Sequence, residues 1–590
     1  MEKTKKLHST FDEFASVSYK EWLDAVAKQN AHSRTVANTS DHGLNIPIIA
    51  TEKLLPPFGD KGTTKEGSCL LEVHPTCLQA FNRDELLQLG QSGVEVLYIS
   101  ERNVPQVTGL LHDLEHPFSR FSIDASATDG VWLDGYVKYL HSASKAERSV
   151  EGTVYLPIAQ LTDWQGKHSA LTLQQEIINE LSAFPGIRAI TIPSNTFYEL
   201  GASAVEELAI TLSWWVAYCD SLTDAGVSIE EVFTRTEITL ATGGDFFPDL
   251  TKFRAMRALI SKVAEAYQIR SAPEAQPFLR AISGKLNKTL YDPDGNILRN
   301  TTEALAAILG GADSLCLQPH NFLYNSSDEF GLHLAIQSYN VLRYEAHVMR
   351  VHDPAAGSYF IEDITRQLVE NGWKLFLSFE EQGGFHRLLN AGLLHARFQE
   401  RLTTLKHRVA TQQKTIVGSN RYTNPLERIT SSYDELPTRL AASFEKIRLL
   451  MDERVRQGHQ RPIIPLWIQQ ELDTSQTGIV NQRVNYTKDL LTSLGIAYEE
   501  HSISMATDFA FLPSTKSGIA GAIFCGTNAF YQSTVVELCE QRKYNSQMLI
   551  AGGSQEVIER IRQVGGQVIG VGHDVVSAIE ALIQTTNNEA

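Results

Sequence analysis

A chain of 590 residues exceeds one ordinary domain and predicts two to four. Its 43% hydrophobic and 21% charged residues are ordinary for a globular protein with a large core, and without a run of about 18 apolar residues no membrane span is expected. The net charge of −17 argues against a nucleic-acid partner, which needs a basic face, while leaving room for a small phosphorylated ligand held by a few local cations.

The first stretch, MEKTKKLHSTFDEF, carries charge but no apolar h-region, so no signal peptide is expected. Residues 1–40 read as a helical arm. Thr10 with Glu13 and Ser18 with Glu21 fit two capping boxes. Phe11, Phe14 and Trp22 are too large to hide on so short a segment, so the arm packs either on its own body or on a partner chain. The six cysteines (Cys69, Cys77, Cys219, Cys316, Cys525, Cys539) form no CxxC pair and read as reduced thiols of a cytoplasmic protein.

From about residue 70 to 400, β-branched runs alternate with helical stretches. Candidate strands are 94–100, 152–159, 187–194, 234–243, 277–285 and 312–319, separated by amphipathic stretches such as TLQQEIINELSAF. That rhythm predicts βα units and a parallel sheet, and its length suits a closed (β/α)8 barrel. Within it, RTEITLATGGDFFPDLTKFRAMRALISKVAEAY (235–267) begins as a strand. It breaks at Gly243-Gly244, where a side chain would block a turn or a close ligand, and continues as a helix. Phe246 and Phe247 then stand at the barrel's C-terminal mouth, with Lys252, Arg254 and Arg257 as nearby cations.

Residues 401–460 are helical and rich in charge, which predicts a solvated helix face. RPIIPLWI (461–468) opens a second alternation of strands and helices that predicts a flavodoxin-like domain. The expected organisation is an arm over 1–40, a barrel over 41–400, a helical linker over 401–460 and a flavodoxin-like α/β domain over 461–590.

Five ordered segments carry a family resemblance. ATGGDFFPDLTKFRAMRALI resembles the signature of the adenosylcobalamin-dependent acyl-CoA mutases, above all methylmalonyl-CoA mutase, with Asp245 where that family has asparagine. AITIPSNTFYELGASAVEELAITL, MRVHDPAAGSYFIEDIT (349–365), EEQGGF (380–385) and IVGSNRYTNP (416–425) resemble further family segments in the right order. The resemblance implies a mutase-type barrel, threaded along its axis by acyl-CoA. It also implies a cobalamin-binding-type domain whose Asp-x-His-x-x-Gly loop ligates cobalt.

The sequence departs from that pattern where the family's chemistry sits. No Asp-x-His-x-x-Gly follows RPIIPLWI; Thr474 falls about where the ligand would, and no histidine lies between His459 and His501. His573 follows the last strand, the wrong end for that loop, and reads as structural. Thr196 replaces the family's substrate-contacting histidine, no tyrosine stands near Val73-His74, and the shortened segment from Ile158 to Leu171 has no arginine to grip a carboxylate.

The resemblance therefore implies the small, non-catalytic subunit type of a heterodimeric mutase, inactive alone. It assigns this chain no catalytic, cofactor-binding or metal residue. Adenosylcobalamin and the acyl-CoA substrate are expected on a large catalytic partner subunit. Two alternatives stay open. One is a regulatory or carrier protein that binds CoA or acyl-CoA, with Arg254, Lys285 and Lys288 as candidate phosphate contacts. The other is a working mutase with unusual cobalamin ligation.

Overall fold

The computed structural model describes residues 21, 37–39, 41–47, 69–73, 82–112, 118–125, 131–145, 151–156, 170–269, 276–324, 328–429, 438–470, 472–504, 521–540 and 547–584. Thr10, Phe11, Glu13, Phe14, Ser18, Trp22, His74, Cys77 and residues 158–169 lie outside these.

A short antiparallel pair, β1 (Ala37–Thr39) and β2 (Asn45–Pro47), precedes the main sheet. The main sheet comprises β3 (Leu70–Val73), β4 (Val96–Ser100), β5 (Arg120–Asp124), β6 (Gly152–Tyr155), β7 (Ile187–Arg188), β8 (Ile190–Pro193), β9 (Thr236–Thr242), β10 (Phe278–Ser283) and β11 (Ser314–Cys316). Its order is β7-β6-β5-β4-β3-β11-β10-β9-β8, with parallel pairing throughout. Only Ala189 separates β7 from β8, so these two are halves of one stave and the sheet closes on itself as a (β/α)8 barrel. All seven residues of β9 are buried, as expected for a parallel strand covered on both faces.

All six predicted strands are present. The barrel also contains β3 and β5. The β5 sequence RFSID breaks the apolar pattern because Arg120 turns into the barrel. The helices that position the mouth are α1 (Asn195–Glu199), α2 (Ala204–Asp224), α3 (Phe246–Ala266), α4 (Asp294–Gly310) and α5 (Tyr359–Glu381). Ser203 and Glu206 form a reciprocal capping box that starts α2.

Two further helices, α6 (Leu393–Ala410) and α7 (Ala442–Arg456), follow the barrel. The predicted solvated charge pattern holds for Lys446 and Arg456, which are exposed, but not for four other charges. Arg439, Glu445, Arg448 and Asp452 are buried: Glu445 and Asp452 satisfy the barrel's β10–α4 loop, Arg439 pairs with Glu445, and Arg448 donates to Asn424 O and Glu427 O. Glu445 pairs with Arg439 and accepts the Leu290 N–H at 2.7 Å; Asp452 accepts the Tyr291 hydroxyl at 2.7 Å.

The second sheet holds β12 (Ile463–Gln469), β13 (Ala497–Ile503), β14 (Gly521–Cys525), β15 (Gln547–Ala551) and β16 (Gln567–Ile569), all parallel in the order β13-β12-β14-β15-β16. This is the flavodoxin-like order, with its switch point between β12 and β14. One hydrophobic cluster runs from Tyr198, Ala241 and Leu286 at the barrel mouth through Leu405, Phe444 and Met451 to Leu466 and Leu549 of this sheet. Among the described residues no helix is long and apolar enough to cross a membrane.

Candidate functional site

Three places can test whether the scaffold holds a ligand: the barrel axis, the barrel's C-terminal mouth, and the crevice at the switch point of the second sheet. The axis is filled by protein. Glu72 of β3 receives two hydrogen bonds of 3.0 Å from Arg280 Nε and a third from Arg280 Nη2. The Arg280 guanidinium lies 5.3 Å from the Tyr98 ring and 4.9 Å from the Tyr155 ring, so β10 touches β4 and β6 across the barrel. Tyr155 and Thr153 of β6 both donate to Glu237 of β9, the Thr153 bond measuring 2.6 Å. Arg120 stands 3.6 Å from Glu237 and stacks 3.9 Å over Phe278. Contacts between non-adjacent strands must cross the interior, so these side chains occupy the path along the axis. Burial pushes the Glu72 carboxyl up, and Arg280 opposes that push.

At the mouth, Tyr198 is the residue that the sequence pattern leaves unmarked. Its ring lies against both glycines that end adjacent strands. A Cβ on Gly243 would sit 2.0 Å from Tyr198 Oη, and one on Gly284 would sit 2.6 Å from Tyr198 Cε1. The glycine after β9 is therefore required by an internal tyrosine. The available signal is the pairing of Gly243 with Gly284 at equivalent strand ends. Thr196, in the position resembling the family's histidine, turns back and donates to Pro193 O at 3.0 Å.

The cations flagged in the sequence are largely spent. Lys252 is fully buried, donating to Glu207 at 2.7 Å and to Ala241 O at 2.5 Å, with Asp249 at 3.4 Å. Asp249 in turn accepts the Gly243 N–H at 2.8 Å. Arg254 is buried between Asp353 and Glu362, and Lys288 between both oxygens of Glu303 at 2.6 and 2.7 Å. Placing Arg254 and Lys288 as phosphate contacts is thus corrected: buried carboxylates hold both, because an unpaired charge could not be buried there. Lys285 is half-buried, 5.9 Å over the Phe322 ring, and Arg257 reaches Asp313 at 2.5 Å. Phe246 and Phe247 do stand at the mouth; Phe247 is exposed and meets Phe360 edge-on at 4.9 Å. Asp245 begins α3 and lies 3.5 Å from His42 Nε2. Burial raises its carboxyl to about 6. Burial likewise holds His42 well below the usual imidazole range, and its Nδ1 accepts the Ala204 N–H.

Protein groups bridge the crevice of the second sheet as well. β12 ends at Gln469, and helix α8 (Thr474–Ser493) begins after four intervening residues. Thr474 is the exposed first residue of that helix. Asp473 caps it by accepting the Ser475 and Gln476 N–H groups. Gln469 Oε1 accepts the Thr527 N–H at 2.7 Å, bridging the ends of β12 and β14. Arg483 of α8 donates to Gly526 O and to Asn528 at 2.8 Å, and Tyr531 Oη accepts the Gly526 N–H at 3.0 Å. These groups occupy the switch-point crevice where a ligand of such a sheet sits. The residues do not fit a corrin held by an axial imidazole: the loop is short and its capping position is used by the helix. His573 follows β16, with Nδ1 3.1 Å from Arg562. Among the described residues no group of three or more His, Cys, Asp or Glu could hold a metal ion.

Residues 164–464, just over half of the chain, match the family model described as methylmalonyl-CoA mutase. The chain is similar to the methylmalonyl-CoA mutase small subunit of Porphyromonas gingivalis, at 28% identity over 71% of this chain and 72% of that one. It is similar to the protein of the same name from Streptomyces virginiae, at 24% identity over 88% and 89% of the two chains. A third small subunit, from Propionibacterium freudenreichii subsp. shermanii, shares 28% identity over 58% of this chain and 56% of its own length. With the barrel, the flavodoxin-like sheet and the five ordered segments, the match establishes that this chain belongs to the methylmalonyl-CoA mutase family.

Proposed function

We propose that this chain is the small, non-catalytic subunit of an adenosylcobalamin-dependent methylmalonyl-CoA mutase. It supports a large catalytic subunit that interconverts methylmalonyl-CoA and succinyl-CoA. The observation that carries this reading is the filled barrel axis: Glu72, Arg280, Tyr155, Glu237 and Arg120 take up the space that a threaded acyl-CoA would need. The bridged crevice at Gln469, Thr527, Arg483 and Tyr531 supports the same reading for cobalamin, which then belongs to the partner. In this reading the chain contributes a folded surface to a heterodimer and no reacting group.

Co-expression with a large mutase chain tests the proposal. The expected result is a 1:1 complex with mutase activity and corrin absorbance. The chain alone shows neither, and binds no CoA by calorimetry. Turnover of methylmalonyl-CoA by the isolated chain overturns it. Calorimetric affinity of the lone chain for CoA would move the chain to the class of acyl-CoA-binding regulators.

A further inference from the structure

A cavity of about 260 Å³ lies between the barrel mouth and the helices that follow the barrel. Its wall draws on Asp41, Tyr198, Asp245, Asn287, Arg299 and Arg401, among others. Its volume is below the roughly 300 Å³ at which pockets for drug-sized ligands begin, so a whole coenzyme is too large for it.

The charges on the wall are unequally satisfied. Asp41 is taken by Arg408 and Lys414, Asp249 by Lys252 and the Gly243 N–H, and the half-exposed Asp245 faces Lys414 and Arg401. Arg299 and Arg401 are different. Among the described residues no carboxylate lies within 4.0 Å of either guanidinium. Arg299 donates to Thr289, Asn296 and Val417 O, all neutral acceptors. Arg401 donates twice to Asp41 O and once to Gly201 O, again neutral. A guanidinium carries five N–H donors, so each keeps donors to spare. Burial depresses the basicity of both groups, the mark of positive charge held out of water.

Asn287, also on the wall, is already engaged: its amide nitrogen donates to Glu303 at 2.8 Å. Two guanidinium groups with spare donors on the wall of one small, half-open cavity suit a small anionic ligand.

The geometry points to a binding site for a small oxyanion, a phosphate or a hydroxycarboxylate, held by Arg299 and Arg401. The bound anion would join the barrel mouth to the segment 414–417, because Arg299 already holds Val417 O and Arg401 already holds Asp41 O. The proposal does not rest on the role of the chain in a heterodimer.

Calorimetric titration of the full chain with inorganic phosphate and with tartrate, at ionic strength fixed with sodium chloride, tests it. Saturable binding of either probe is expected, with a rise in the unfolding midpoint; the tighter probe defines the class. Thr302, an exposed cavity residue one helical turn from Arg299, supplies the control. Thr302→Glu places a competing carboxylate beside Arg299 and should weaken binding by about tenfold, roughly 1.4 kcal/mol. Thr302→Gln should leave it within about twofold, a few tenths of a kcal/mol. No saturable binding of either probe, or equal affinity in the Glu and Gln variants, overturns the assignment.

Discussion

Gly243→Ala puts the placement of Tyr198 at the barrel mouth to a quantitative test. The added methyl would lie 2.0 Å from Tyr198 Oη and 2.7 Å from Cζ. The ring has no room to retreat towards β10, because Gly284 already bounds it on that side. Overpacking of a well-filled site costs about 1–3 kcal/mol, and an overlap of more than ~1 Å belongs near the top of that range, at about 3 kcal/mol. Tyr198→Ala alone costs about 3–5 kcal/mol for the lost ring. In that background the Gly243 methyl enters vacated space and its cost falls to about zero, since φ at Gly243 is not positive and alanine is tolerated. The four proteins of the cycle are compared by urea unfolding. Hydrogen exchange over residues 236–243 separates the barrel from the second sheet, because a chain of two units need not unfold in one step. A coupling of about 3 kcal/mol is expected from the overpacking cost. An equal cost of Gly243→Ala with and without Tyr198 would show that the tyrosine does not stand in the mouth.

Three shorter predictions follow from buried charge. Glu72→Leu strands Arg280 in the axis and should cost about 3–5 kcal/mol, while Glu72→Leu with Arg280→Met should recover most of that, as paired apolar replacements do; a thermal-melt series reads both. Tyr291→Phe should lower barrel stability by about 1.5–3 kcal/mol by removing a hydrogen bond to a charged acceptor, Asp452, and hydrogen exchange over α7 reads the loosened helix. Asp245 is raised to about 6, against about 3.9 unfolded, so the folded protein binds its proton more tightly. Its stabilising contribution is complete below about pH 4 and is lost as pH rises through about 6. Asp41, His42, Asp249, Arg401 and Lys414 face it. Asp245→Asn removes the penalty. At about pH 7.5 the variant should be more stable by about 1 kcal/mol, the shift being discounted because the side chain is 45% exposed, and at about pH 4 the two proteins should match.

The βα rhythm makes the barrel legible because parallel strands buried on both faces read as apolar runs, as in ITLA and LRAIS. β5 escapes because Arg120 and Asp124 interrupt its run, and only the closed barrel shows that an arginine can stack on Phe278 inside. The loss of the histidine loop is legible as a missing residue. Its replacement by an Asp473 cap and an immediate helix start goes unmarked, although Asp473-Thr474 before a helix is a readable start signal. The fates of Arg254, Lys288 and the charges of α7 are hidden for a different reason. The Arg254–Glu362, Lys288–Glu303 and Glu445–Leu290 pairings span 108, 15 and 155 positions, and no local pattern encodes them.

A barrel axis must be filled with something, since interiors pack to crystal-like density. Here the filling is polar. Glu72, Arg280, Glu237, Arg120, Tyr155 and Thr153 are buried together, each charge paired within the set. An apolar filling of equal volume would be at least as stable, so stability alone does not account for these groups. What they supply is a fixed register: Glu72 on β3 is matched to Arg280 on β10, and Glu237 on β9 to Thr153 and Tyr155 on β6, so four staves are pinned across the axis. A barrel pinned in that way resists opening along its axis. That rigidity is in keeping with the proposed role, in which the chain contributes an outer surface.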